Sequence, residues 1–89
     1  MRDIDALLDE LRGVPHTRPA DAHDLQGLLA TVRSAAGRWA DVLDEIRQSA
    51  RGIAGPRAEA ALEVAFRRAE ESYVELEIAL RDCAGDTGR

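Results

Sequence analysis

Two histidines, one cysteine and seventeen carboxylates are the residues of this 89-residue chain with the chemistry to hold a metal or move a proton. His16 and His23 belong to no His-x-x-x-His or Glu-x-x-His pair, so a helix-borne zinc or di-iron site lacks its ligands. Asp41, Asp44, Glu45, Glu59, Glu63, Glu70, Glu71, Glu75 and Glu77 fall mostly on polar helix faces. Paired acid–base catalysis needs a cleft around such carboxylates, and a helical hairpin offers none. Ser34, Ser49 and Ser72 have no glycine-rich elbow and no histidine placed as a base. Cys83 has only Arg81 nearby as a basic neighbour and forms no internal disulfide on its own. Gly52-Ile53-Ala54-Gly55-Pro56 lacks the lysine and the preceding strand of a phosphate-binding loop. The reading is a protein that is not an enzyme, with no catalytic residue, no metal site and no cofactor.

The elements that position these residues are two long helical stripes. Apolar residues fall at Leu25, Leu28, Leu29, Val32, Ala36, Trp39, Val42, Leu43, Ile46, Ala50 and Ile53. A second series runs Ala58, Leu62, Ala65, Phe66, Ala69, Tyr73, Leu76, Ala79, Leu80 and Cys83. Steps of three and four put each series on one helix face. The Gly-x-x-Gly-Pro break between them is a tight turn, so the helices return on each other as an antiparallel hairpin. Ile4, Leu7, Leu8 and Leu11 give a short amphipathic helix that needs a surface to dock on. Two prolines and a glycine make residues 13–20 a linker.

The expected fold is all-α. It has a short helix over 3–12, an antiparallel hairpin of long helices over 21–52 and 57–84, and a polar tail over 85–89. This is a three-helix bundle or half of a four-helix bundle, in one domain. Asp21 is the expected N-cap of the second helix, Gly52 its C-cap, and Pro56 opens the third. Leu29, Val32, Leu43, Ile46, Leu62, Phe66 and Leu76 are the expected core. Pairing across the turn sets Trp39 beside Ala69 and Tyr73 beside Ala35, large against small. The alternative for Trp39 is a partly exposed anchor, the kind of aromatic enriched at interface hot spots. The third helix carries a further apolar strip, Ala60, Val64, Val74 and Ile78. Either the N-terminal helix covers it or a second chain does.

Hydrophobic residues make up 45% of the chain, but sixteen of them are alanine, and Phe, Tyr and Trp occur once each. Alanine removes little apolar area from water, so a lone core is thin and added buried surface is expected. The net charge is −5. With no basic cluster larger than Arg67-Arg68, nucleic acid and anionic membrane are poor partners. All twelve basic residues are arginine, a usage typical of high-GC genomes such as actinobacteria. No apolar run reaches the ~20 residues of a membrane span. The N-terminus reads as an amphipathic helix, not a leader, so the expected location is cytoplasmic, with export possible only by a signal-peptide-independent route.

Tyr73-Val74-Glu75-Leu76-Glu77 fits a Tyr-x-x-x-Asp/Glu element late in the second arm of a hairpin that also carries Trp39. In this, and in size, the chain resembles the WXG-type helical hairpins of type VII (ESX) secretion. Trp39-Ala40-Asp41 departs from that family's Trp-x-Gly, lacking the glycine and preceding the turn. The resemblance implies a secretion-linked hairpin partner without catalysis. The expected function is a protein–protein interaction module, in a homo- or heterodimer with itself or another hairpin. Its expected interface residues are Trp39, Val64, Tyr73, Val74, Glu77 and Ile78. The alternative is a small acidic regulator, such as an immunity protein, an antitoxin or an adaptor, that binds a larger protein.

Overall fold

The computed structural model describes the backbone of residues 2–14 and 18–87 and the side chains of residues 3–14 and 18–83. Three helices account for most of it: α1 (Arg2–Arg12), α2 (Ala22–Ala50) and α3 (Pro56–Thr87). No strand occurs among the described residues. The chain is all-α, a hairpin of two long helices with a short N-terminal helix.

The helix ends follow local chemistry. Asp21 caps α2: its carboxylate accepts from the Asp24 N–H at 2.8 Å, and the Asp24 carboxylate accepts from the Ala20 N–H at 3.2 Å. This reciprocal pair satisfies amides that a helix start leaves open. α2 stops at Ala50, two residues before the expected end, because Gly52 takes φ +78°, a left-handed conformation that ends the helical hydrogen bonding. The N–H groups of Ile53 and Ala54 both donate to the Ala50 carbonyl, at 3.0 and 2.9 Å. The Gly52 N–H donates to the Glu59 carboxylate at 3.2 Å, tying the turn to the first turn of α3. Pro56 occupies the first helical position, where a missing N–H costs nothing.

α3 runs on through Gly85 to Thr87, so residues 85–87 continue the helix and are not the expected tail. A glycine in a helix costs about 1 kcal/mol but ends it only where the backbone turns left-handed. Residues 15–17, which include His16 of the expected linker, and residues 88–89 lie outside the described residues.

α1 and α3 both pack on α2, and among the described residues their backbones do not approach each other. Tyr73 lies against Gly37, Glu63 against Arg47 and Glu77 against Arg33. The hairpin is therefore antiparallel, two residues from the expected register in which Tyr73 faces Ala35. The α2–α3 seam centres on Ala40, Leu43 and Ala69, with Ala65 and Phe66 packed against them. Of the expected core only Leu43 is buried. Leu29, Val32, Leu62, Phe66 and Leu76 are half-buried, and Ile46 is exposed. Small residues at the seam bring the backbones close, and the larger side chains flanking a single layer of contact keep one side in solvent.

The most enclosed large side chain is Val42, 1% exposed, which the expected core omitted. It lies under α1. The Arg38–Glu10 ion pair and the Asp3–Glu45 contact stand on either side of it, one turn before and one turn after. Leu7, buried, comes from α1 onto the same face. Docking on α2 leaves α1 away from the Ala60, Val64, Val74 and Ile78 strip, so the expectation that the N-terminal helix covers that strip is corrected. Val64, Val74 and Ile78 are each about half-exposed, at 51%, 50% and 52%.

Candidate interaction surface

The apolar arc of α2 is three columns wide, each column repeating every seven residues. One outer column, with Ala35 and Val42, is buried beneath α1. The other, with Leu29, Ala36 and Leu43, faces α3 and is buried or half-buried. Between them runs Leu25, Val32, Trp39 and Ile46, and beyond the helix end Ile53 sits exposed in the turn. This middle column is the one left open: Trp39 is 47% exposed and Ile46 37%. Because α1 and α3 grip opposite flanks of α2, Val32 and Trp39 of this column, with Ala35 and Ala36 beside them, form the floor of a groove of about 390 Å³. Leu7 and Leu11 wall it on one side, Ser72 and Leu76 on the other. Leu8 and Leu11 add half-exposed side chains from α1.

Trp39 therefore does not pack against Ala69. It lies across the groove from Ser72 and Leu76, half-open to solvent, in the arrangement of a partly exposed anchor. Its neighbours at Val32 and Ile46 are visible in the sequence as residues in line with it. The seven-residue interval from Leu25 to Ile46 is the signal that marks a separate column.

Tyr73 and Glu77 project elsewhere. The Tyr73 ring packs on Gly37, where an added Cβ would sit 3.3 Å from two ring carbons. Its hydroxyl donates to the Glu77 carboxylate at 3.4 Å, and Glu77 also pairs with Arg33 at 3.8 Å and Arg81 at 3.6 Å. Tyr73 and Val74 border a second, polar groove with Arg33, Arg38, Asp41 and Glu70. Val64 and Ile78 lie on the back of α3, five and nine positions from Ala69 and so turned away from α2. The six expected interface residues thus divide among several surfaces: Trp39 in the apolar groove, Tyr73 and Val74 at the polar one with Glu77 hydrogen-bonded to Tyr73 beside it, and Val64 and Ile78 along the back of α3.

The electrostatics serve the seams. Arg47 donates to Asp44 at 2.6 Å and to Glu63 at 2.8 Å, and its guanidinium lies 4.8 Å from the centre of the Phe66 ring. Hydrogen bonds from Arg47 hold both carboxyls below their ordinary values. Arg38 does the same to Glu10 across the α1 seam. Glu45 moves the other way: its contact with Asp3 raises its carboxyl. Among the described residues, no group of three or more His, Cys, Asp or Glu side chains could hold a metal ion. No described helix is long and apolar enough to cross a membrane. No family model, no curated protein and no solved structure matches the chain.

Proposed function

We propose that this chain is a non-enzymatic protein–protein interaction module that acts through a helical interface. The observation that supports it is uncovered apolar surface on a thin fold. The chain exposes 6440 Å². A compact protein of 9.7 kDa exposes about 5,100 Å². Single exposed hydrophobics are ordinary, but a continuous apolar groove and a second apolar strip on one small domain mark association surfaces. The test is the mass of the native complex isolated from its own cells. A mass above one chain, lost when Trp39→Glu or Val74→Glu places an unpaired carboxylate in the contact, is expected. A single chain under all conditions ends the proposal.

A finer form of the same reading is a type VII secretion-linked hairpin partner. Tyr73 and Glu77, joined through the tyrosine hydroxyl, favour it. Tyr73→Ala is expected to abolish export while the partner stays bound. Tyr73→Phe, which keeps the ring on Gly37, separates loss of recognition from loss of packing. Export unchanged in both variants rules this form out and leaves the broader reading standing.

A further inference from the structure

We infer that the groove between α1 and α3 binds a second copy of this chain, antiparallel, about a two-fold axis at Trp39. This rests on the interaction reading above and names its partner. The middle column of α2 has the symmetry such a contact requires. Trp39 stands midway between Val32 and Ile46 within α2. Reversing the direction of the column sets Val32 against Ile46, and Trp39 against itself. Each pairing joins apolar residues that are at least partly exposed in one copy. A two-fold interface is self-complementary in this way, with residue i meeting j and j meeting i. A strict seven-residue column keeps facing a partner helix along its length through a left-handed supercoil.

The α3 rim carries the same symmetry in charge. Ser72 lies across the groove from Trp39. Arg68 and Glu75 flank Ser72, four residues before and three after, on the outer side of that rim. The two-fold axis at Trp39 brings Arg68 of each copy to the partner's Glu75. Within one copy Arg68 reaches only Glu71, at 3.2 Å, and both side chains are well exposed. The chain as a whole exposes roughly 1,300 Å² more than a compact protein of its mass, so burying the ~800 Å² per partner of a standard interface would bring it back toward compact proportions. A foreign partner would need neither the reversed apolar pairing nor the reciprocal charges.

The protein reports on this contact itself, because Trp39 is its one tryptophan. Sedimentation equilibrium and tryptophan emission are measured together across concentration. A dimer is expected, with emission moving to the blue as it forms. Arg68→Glu and Glu75→Arg should each weaken it about tenfold at low salt by setting like charges together. The double variant should recover to within about threefold of the parent, since the pair is restored in reverse. Circular dichroism verifies that each variant folds. A monomer at millimolar concentration overturns the inference. So does a double variant as weak as the singles, or a dimer broken by Val74→Glu with the Trp39 emission unchanged. In each of those cases the broader interaction reading stands if the complex from cells is larger than one chain, and falls with the inference if it is not.

Discussion

Gly27 and Gly37 have the same intrinsic cost within α2 and opposite surroundings. A Cβ on Gly27 would meet nothing within 4 Å, whereas one on Gly37 would press on the Tyr73 ring. Gly27→Ala is therefore expected to stabilise the fold by about 0.5–1 kcal/mol, the helix-propensity difference. Gly37→Ala should gain less than half of that, or lose stability, because the ring must move by a few tenths of an ångström. Denaturant melts of the two variants side by side decide it, and equal gains would mean that Tyr73 does not hold the seam. The sequence places both glycines within the second helix but does not say which of them meets a neighbour. Phe66 shows the opposite limit. Its place on the hairpin stripe was legible, but its half-burial under Arg47 was not. Phe66→Ala should cost about 2 kcal/mol, below the 3–5 kcal/mol of a fully enclosed phenylalanine.

At the scale of elements, periodicity located α1, α2, α3 and the turn, because three-four spacing and Gly-Pro punctuation are local signals. The seating of α1 was not legible. Ile4, Leu7, Leu8 and Leu11 fit any apolar surface, and it is the Arg38–Glu10 ion pair that registers α1 on α2, with Asp3 meeting Glu45 further along. These two contacts answer pH with opposite signs. Glu10 is lowered by Arg38, so its contribution is present above the ordinary value of 4.5 and is lost as pH falls through the folded value. Glu45 is raised by Asp3, so its contribution is present below 4.5 and is lost as pH rises through the folded value. The hairpin seam has no such offset, because Arg47 lowers both Asp44 and Glu63. Acidification below 4.5 should thus weaken α2–α3 packing first, and Arg47→Ala should remove most of that acid sensitivity. Thermal melts between neutral and acidic pH measure both slopes. An unchanged acid slope in Arg47→Ala would show that other carboxylates carry it.

For the whole molecule, the governing fact is that, among the described residues, α2 packs along both other helices while their backbones do not approach each other. The result is an elongated body, 52 × 24 × 17 Å, whose central column is open along one side. Composition made the thin core legible, since sixteen alanines cannot enclose much volume. It could not say which apolar column stays uncovered, because that depends on the angle at which α1 and α3 grip α2. If two copies close the groove, association is linked to folding, and stability depends on protein concentration. A tenfold rise in concentration then adds about 1.4 kcal/mol per dimer, the free energy of a factor of ten. For a cooperative unit of this combined size that corresponds to a rise in Tm of about 3–5 °C. Trp39→Glu should melt lower and lose the concentration dependence altogether, because an unpaired carboxylate at the two-fold axis would be desolvated without a partner. A parent Tm that stays constant over a hundredfold range of concentration would place the folding free energy within one chain. The open column would then await a different protein.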